Sequence, residues 1–194
     1  MTIGAVVLAA GAGQRFGGGK LTALWRGQPL IVWAAQAALA SCEGPVVTVL
    51  GTFAPEVAAV LPSDGRLSTL IAEDHALGMA HSLKAGLSAL PEGLDGVFVF
   101  LGDMPRVPAS LAAVLIAALA GGALAAAPMC DGQRGHPVLI AARLLPQLLA
   151  LTGDRGAGAL LSGLGDDLAL IETDNRGVLF DVDTRADLGD GGAV

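Results

Sequence analysis

The segment Ile3–Ala9 carries no polar side chain and runs without a break into a loop holding Gly11, Gly13, Gly17, Gly18 and Gly19. A short apolar run with no alternating polar face fits a strand in a sheet covered on both sides. The same pattern returns at Pro45–Leu50, Leu67–Ala72, Val97–Leu101 and Ala123–Ala127. Helical stripes lie between, at Leu30–Ala40, Pro55–Leu61, Met79–Leu90 and Ala109–Ala120. This alternation predicts a mostly parallel α/β sheet with right-handed crossovers. The pattern continues with strands at Pro137–Ile140, Leu168–Glu172 and Val178–Val182, and helices at Leu144–Leu151 and Ala157–Leu164. A last helix is expected after Thr184, a residue type suited to the N-cap.

The 194 residues suit one domain, expected over 1–188, with a flexible tail at 189–194. A composition of 53% hydrophobic and 15% charged residues excludes a disordered chain. Two cysteines, Cys42 and Cys130, are too few for a disulfide scaffold. The first residues show neither a basic region nor a cleavage site, so a cytoplasmic protein is expected. Val107–Cys130 is free of charge, but Pro108 and Pro128 bracket it and Gly121-Gly122 breaks it. Leu111, Val114, Leu115, Ala118 and Leu119 form the stripe of a core-facing helix, which argues against a membrane span.

A net charge of −7 argues against nucleic-acid binding. The charge is unevenly spread. Residues 1–42 carry only Arg15, Lys20 and Arg26, whereas nine acidic residues face three arginines after position 150. A basic start on an acidic chain points to a local anion site. The glycine-rich loop supplies backbone N–H groups, and Arg15 and Lys20 supply cations, so the expected ligand is a phosphate chain. The ATPase phosphate loop does not fit: Leu21 follows Gly19-Lys20, and Gln14 stands where its first glycine belongs. The dinucleotide fingerprint fits in part through Gly11, Gly13 and Gly17. Its ribose-binding acid is missing, since the next strand ends Val49-Leu50-Gly51, and a dehydrogenase is the weaker reading.

The run Leu8-Ala9-Ala10-Gly11-Ala12-Gly13-Gln14-Arg15-Phe16-Gly17, followed by Lys20, resembles the signature of nucleotidyltransferases acting on CTP, GTP and sugar-activating nucleotides. Gly78-Met79-Ala80-His81-Ser82-Leu83-Lys84-Ala85-Gly86, Gly102-Asp103-Met104-Pro105 and Arg134-Gly135-His136-Pro137 resemble one branch, the molybdenum cofactor cytidylyltransferases. Gly153-Asp154-Arg155-Gly156-Ala157 and Asp181-Val182-Asp183-Thr184 are similar to two further blocks of that family. The resemblance spans Ile3 to Leu188. It departs at Gly158, where the family usually has arginine, and at Arg185-Ala186, where Pro-Glu is common.

The resemblance implies a Rossmann-like three-layer sandwich. It also implies an enzyme moving CMP from CTP to the phosphate of molybdenum-loaded molybdopterin. About 1–105 would bind nucleotide and about 106–188 the acceptor. Leu8, Ala9, Ala10, Gly11, Ala12, Gly13, Arg15, Lys20, Gly78, Met79 and Ser82 are the expected nucleotide-binding residues, with Arg15, Lys20 and Asp103 catalytic. Asp103 ends a strongly apolar strand at the sheet edge where ligands bind, so it is the first choice to hold Mg²⁺, which Mn²⁺ can replace. A turn or cap carboxylate is the competing reading. Asp183 is the second choice, with Asp181 in reserve, against a plain helix-cap role.

Ala10 favours CTP, because the related guanylyltransferases carry glycine there, although one methyl is worth only ~1–3 kcal/mol. Arg134, His136, Asp154 and Arg155 are the expected acceptor-binding residues, an arginine suiting the pterin phosphate. His75, His81 and His136 show no zinc-ligand spacing with the cysteines. The resemblance further implies transient contact with a molybdenum hydroxylase or its chaperone. The guanylyl version of the reaction, a sugar or polyol phosphate acceptor, and a cofactor carrier without catalysis stay open.

Overall fold

The structure is a computed structural model that describes residues 1–11, 13–150 and 157–192. The strands are β1 (Ile3–Ala9), β2 (Leu24–Trp25), β3 (Gln28–Pro29), β4 (Val46–Leu50), β5 (Leu67–Ile71), β6 (Gly96–Leu101), β7 (Ala125–Cys130), β8 (Gln133–Arg134), β9 (Val138–Ala141) and β10 (Leu168–Glu172). The helices are α1 (Leu30–Ser41), α2 (Ala54–Ala58), α3 (Met79–Ala89), α4 (Ala112–Ala120), α5 (Leu145–Leu149) and α6 (Ala157–Ser162).

The main sheet has the order β10-β7-β9-β6-β1-β4-β5, with β8 paired to β7. β1 lies inside the sheet, between β6 and β4 and parallel to both. β4–β5 and β7–β10 are also parallel. β9 runs antiparallel to both β6 and β7, and β8 is antiparallel to β7. The continuous apolar runs have the expected cause: both faces of the sheet are covered. Ala5 and Val7 of β1 join Ile31, Ala34, Phe98, Phe100 and Leu115 on the side of α1 and α4. Val6 joins Val49, Leu83, Leu87, Val97, Leu148 and Leu161 on the side of α3, α5 and α6. The result is a Rossmann-like three-layer α/β sandwich, as the sequence predicts.

The charge-free stretch from Val107 to Cys130 divides into a 3-10 turn at Ala109–Leu111, α4 and β7. Among the described residues no helix is long and apolar enough to cross a membrane.

The chain departs from the sequence pattern at its end. Val178–Val182 is not a strand. Arg176–Val178 forms a 3-10 turn, Leu179 still has helical backbone angles, and residues 180–183 belong to no strand. The alternation that suggests a strand has another cause. Val178 and Val182 are fully buried, and Val182 packs with Phe16, Trp25 and Leu30 in a satellite cluster outside the sheet. The segment's backbone bonds go to loops instead: Val182 N donates to the Asp103 carbonyl (3.1 Å), and His136 N donates to the Val178 carbonyl (2.9 Å). The last helix is a 3-10 helix at Ala186–Gly192, reaching into the segment expected as a tail. Thr184 does not cap it as expected. Its backbone N–H and hydroxyl both donate to the Asp187 carboxylate, which also accepts from Asp183 N. The β2–β3 hairpin gave no sequence signal, because its two-residue strands are too short to show a period.

Candidate active site

The carboxyl ends of β1 and β6, the loop after β1, the turn after β5 and the first turns of α3 meet around one cavity. Its volume is about 280 Å³, and Leu8, Ala9, Ala10, Gly11, Gly13, Lys20, Leu21, His75, Met79, Ser82, Leu101 and Asp103 line it. The glycine-rich loop curls back over this edge. Phe16 N and Gly18 N both donate to the Gly13 carbonyl (3.0 and 3.4 Å). Gly17, Gly18 and Gly19 all have positive φ, between 65° and 88°, a backbone region that side chains disfavour. Three such residues in a row explain the triple glycine. Phe16, 3% exposed, anchors the loop in the cluster that also holds Val182.

That shared anchor brings the two expected metal carboxylates together. Asp103 follows β6, and the Val182 N–H bond to its carbonyl sets Asp183 beside it. Lys20 Nζ sits between them, 2.7 Å from Asp103 Oδ2 and 3.4 Å from Asp183 Oδ1. Arg15 Nη1 lies 2.6 Å from Asp183 Oδ2. The Lys20 side chain is 11% exposed and the Arg15 side chain 79%. Neither aspartate caps a helix through its side chain. Asp181 stands close by, and its pKa is raised above the ordinary 3.8 by partial desolvation first, then by the negative charges of Asp183 and Asp103. This corner of the protein therefore carries more negative charge than Lys20 relieves. Among the described residues no three His, Cys, Asp or Glu side chains converge as a metal cage. Two carboxylates suit Mg²⁺, which keeps waters and takes phosphate oxygens for its other positions.

Of the residues expected to bind nucleotide, Leu8, Ala9, Ala10, Gly11, Gly13, Lys20, Met79 and Ser82 line the cavity. Ser82 is 4% exposed. Gly78 is not among the lining residues. It precedes α3 with φ 117° and turns the chain into the helix. Arg15 reaches the rim through Asp183. Ala12 lies outside the described residues. The sequence reading missed His75 and Leu21. His75 has no motif around it. It reaches the cavity through the 3-10 turn His75–Leu77 that links β5 to α3.

A second cavity of about 220 Å³ adjoins the first and shares Leu8, Met79 and Leu101 with it. Arg134 and His136 line it, together with Leu83, Val99, Val138, Ile140 and Leu161. Gly135 packs against Val178, where a Cβ would lie 2.8 Å from the valine Cβ. This close approach fixes Arg134 and His136 on either side of it. His136 Nδ1 lies 3.5 Å from the Val99 carbonyl. A carbonyl only accepts, so Nδ1 carries the proton. Protein packed around the ring disfavours a charged imidazole and holds the pKa below the ordinary 6.5. The neutral ring leaves Nε2 as an acceptor. Asp154 and Arg155 lie outside the described residues.

The model of the MobA-like NTP transferase domain matches residues 5–168. The chain is 31% identical over 187 residues to nicotine blue oxidoreductase of Paenarthrobacter nicotinovorans, covering 92% of this chain and 91% of that protein. The crystal structure of the Rv0371c homolog from Mycobacterium sp. strain JC1 superposes with a TM-score of 0.86 at 30% identity, over 97% of this chain and 96% of that one. The Mycobacterium tuberculosis Rv0371c complex with manganese shares the fold, with a TM-score of 0.80 at 22% identity over the whole of both chains. The family match begins in β1, takes in the glycine-rich loop, the Asp103 turn and both cavities' strands, and ends in β10, so the chain belongs to the MobA-like NTP transferase domain family.

Proposed function

We propose that this nucleotidyltransferase moves CMP from CTP to the terminal phosphate of molybdenum-loaded molybdopterin, giving the cytosine dinucleotide form and pyrophosphate. The observation that carries this reading is the Lys20 ammonium between Asp103 and Asp183 at the mouth of a glycine-lined cavity. A loop of backbone N–H groups with Lys20 and Arg15 suits a triphosphate, and the paired carboxylates suit its divalent cation.

In the reaction, an oxygen of the acceptor phosphate forms a bond to the α-phosphorus of CTP. The bond from that phosphorus to the bridging oxygen breaks, and pyrophosphate leaves with the electron pair. The work of the protein is positioning and charge neutralisation. Lys20 exchanges its carboxylate partners for phosphate oxygens as the nucleotide enters, and Arg15 meets the leaving pyrophosphate at the rim. Bound Mg²⁺ or Mn²⁺, on Asp103 and Asp183, would neutralise the phosphate oxygens. Residues up to about 105 hold the nucleotide. Those from 106 to 188 hold the acceptor, with Arg134 toward its phosphate and His136 toward its heterocycle.

Ala10 supports CTP over GTP. Ala10 is 6% exposed, belongs to one buried cluster with Ala72 and Leu83, and lines the cavity, where a glycine would leave more room. The test is a product assay with Mg²⁺, molybdenum-loaded molybdopterin and either CTP or GTP, read by mass. Product with CTP alone supports the reading. Product mainly with GTP keeps the chemistry and overturns the base. No product with either, while nucleotide still binds, overturns the acceptor and favours a sugar or polyol phosphate.

A second reading rests on the relative named as an oxidoreductase, which matches nine-tenths of this chain. A redox enzyme built here would place a nicotinamide dinucleotide on the same loop. The end of β4, Leu50-Gly51-Thr52, offers no carboxylate for its ribose. A fluorescence titration with reduced nicotinamide dinucleotides distinguishes the two.

A further inference from the structure

We propose that His75, held flat by Thr52, is the surface on which the nucleobase stacks in the first cavity. The proposal rests on the nucleotidyl-transfer reading above and adds a binding residue that the motifs do not contain. His75 Nδ1 lies 2.8 Å from the Ala72 carbonyl, and Nε2 lies 3.0 Å from Thr52 Oγ1. The carbonyl requires a proton on Nδ1. In the neutral ring Nε2 is then an acceptor, and the Thr52 hydroxyl donates to it. Both ring nitrogens are thereby turned toward protein partners.

The imidazole nonetheless lines the cavity, alongside Ala10, Met79 and Ser82. With its nitrogens occupied, it offers the cavity carbon and a π face rather than a hydrogen bond. It is the one planar ring among the described lining residues. A flat π face held by hydrogen bonds at its edge is what a base needs for stacking, and such stacking tolerates any base. The fold explains why the ring does not swing away. Thr52 follows β4, and His75 opens the turn after β5. The Thr52–His75 bond therefore ties two neighbouring loops across the sheet edge. The phosphate-facing groups, Gly13 and Lys20, come from a different loop, after β1. His75 thus acts on the nucleoside and leaves the triphosphate to the glycine-rich loop, with Thr52 as the positioning residue.

The test is calorimetric binding of Mg-CTP, Mg-GTP and Mg-tripolyphosphate to the full chain, without any acceptor. His75→Ala is expected to weaken both nucleotides about tenfold and tripolyphosphate less than about twofold. His75→Phe keeps a flat ring and recovers most of the loss. Thr52→Val leaves the ring but frees it, for a loss of about threefold. Equal loss for tripolyphosphate, or unchanged nucleotide binding in His75→Ala, overturns the proposal. Where His75→Ala does not fold, the other two variants decide: unchanged nucleotide affinity in Thr52→Val together with abolished affinity in folded His75→Phe overturns it. Wild-type protein that binds tripolyphosphate but neither nucleotide overturns the underlying reading, a result distinct from failure of the His75 assignment alone.

Discussion

Lys20 Nζ lies 2.7 Å from Asp103 Oδ2, and this contact joins the loop after β1 to the turn after β6. Asp183 completes the arrangement at 3.4 Å from the same nitrogen. A single ammonium thus faces two carboxylates, with Asp181 adding repulsion nearby. Lys20→Met takes the cation away from Asp103 and leaves Asp183 with Arg15. The expected cost is about 1–2 kcal/mol of stability, below that of a fully buried pair because both aspartates are partly solvated. The KM for nucleotide should rise at least about tenfold, since a charge-assisted phosphate contact is lost. Thermal melts of the apo variant should also show a larger upward shift with Mn²⁺ than wild type does. A smaller shift would mean that the carboxylates do not form a cation site.

Asp181 gives a pH-dependent prediction. Its pKa is raised in the folded state, so the native protein binds the proton more tightly than the unfolded chain. Stability from this group is present below the ordinary pKa of 3.8 and is lost as pH rises through the raised value. At neutral pH the ionised carboxylate is a liability. Asp181→Asn should raise the Tm at pH 7 by on the order of 1–2 °C, with the gain vanishing toward pH 3.5. A gain that persists at pH 3.5 would point to a cause other than charge.

The fold and much of this site were legible because their signals are local. The continuous apolar runs marked a doubly covered sheet, and the glycines with Lys20 marked the loop that lines the first cavity. Asp103 was visible because a strongly apolar strand delivered it to the sheet edge. What stayed hidden depends on contacts distant in sequence. The alternation at Val178–Val182 records burial of Val182 against Phe16 and Trp25, which mimics a strand. His75 carries no pattern of its own, and only the meeting of the loops after β4 and β5 brings it to Thr52. The spacing of Lys20 raised the expectation of a phosphate contact, but its pairing with Asp183 required the C-terminal segment to fold back over the β6 turn.

His136 offers a test of the second cavity. With Nδ1–H directed at the Val99 carbonyl, its Nε2 would, on the proposed function, accept a hydrogen bond from an N–H or O–H of the acceptor. Gln places a polar atom near the Nε2 position, whereas Asn places one near Nδ1. His136→Asn should therefore raise the KM for the proposed molybdopterin acceptor about tenfold and His136→Gln only about threefold, with nucleotide affinity unchanged in both. Burial depresses the pKa of this histidine, so the unfolded chain binds the proton more readily than the native protein. Its contribution to stability is complete above 6.5 and is lost as pH falls below that value. The His136→Gln variant should show a flatter Tm profile between pH 7 and pH 5 in the same buffer series.

Two glycines separate loop placement from general stability. At Gly51 a Cβ would run into the Ala10 backbone, with the Ala10 Cα at 2.9 Å. At Gly86 it would meet side chains only, Val6 Cγ1 at 2.6 Å and Val49 Cγ2 at 2.7 Å. Either alanine overpacks the fold and should cost about 1–3 kcal/mol. The displaced atoms differ, however. Gly51→Ala pushes on the residue that leads from β1 into the glycine-rich loop, so its nucleotide Kd should rise on the order of tenfold. Gly86→Ala presses α3 away from β1 and β4, leaving the loop in place, and its Kd should change less than about twofold. Measuring Tm and nucleotide Kd for both variants checks this. Equal binding losses at matched stability would show that the loop takes its shape from the core as a whole rather than from the Gly51–Ala10 contact.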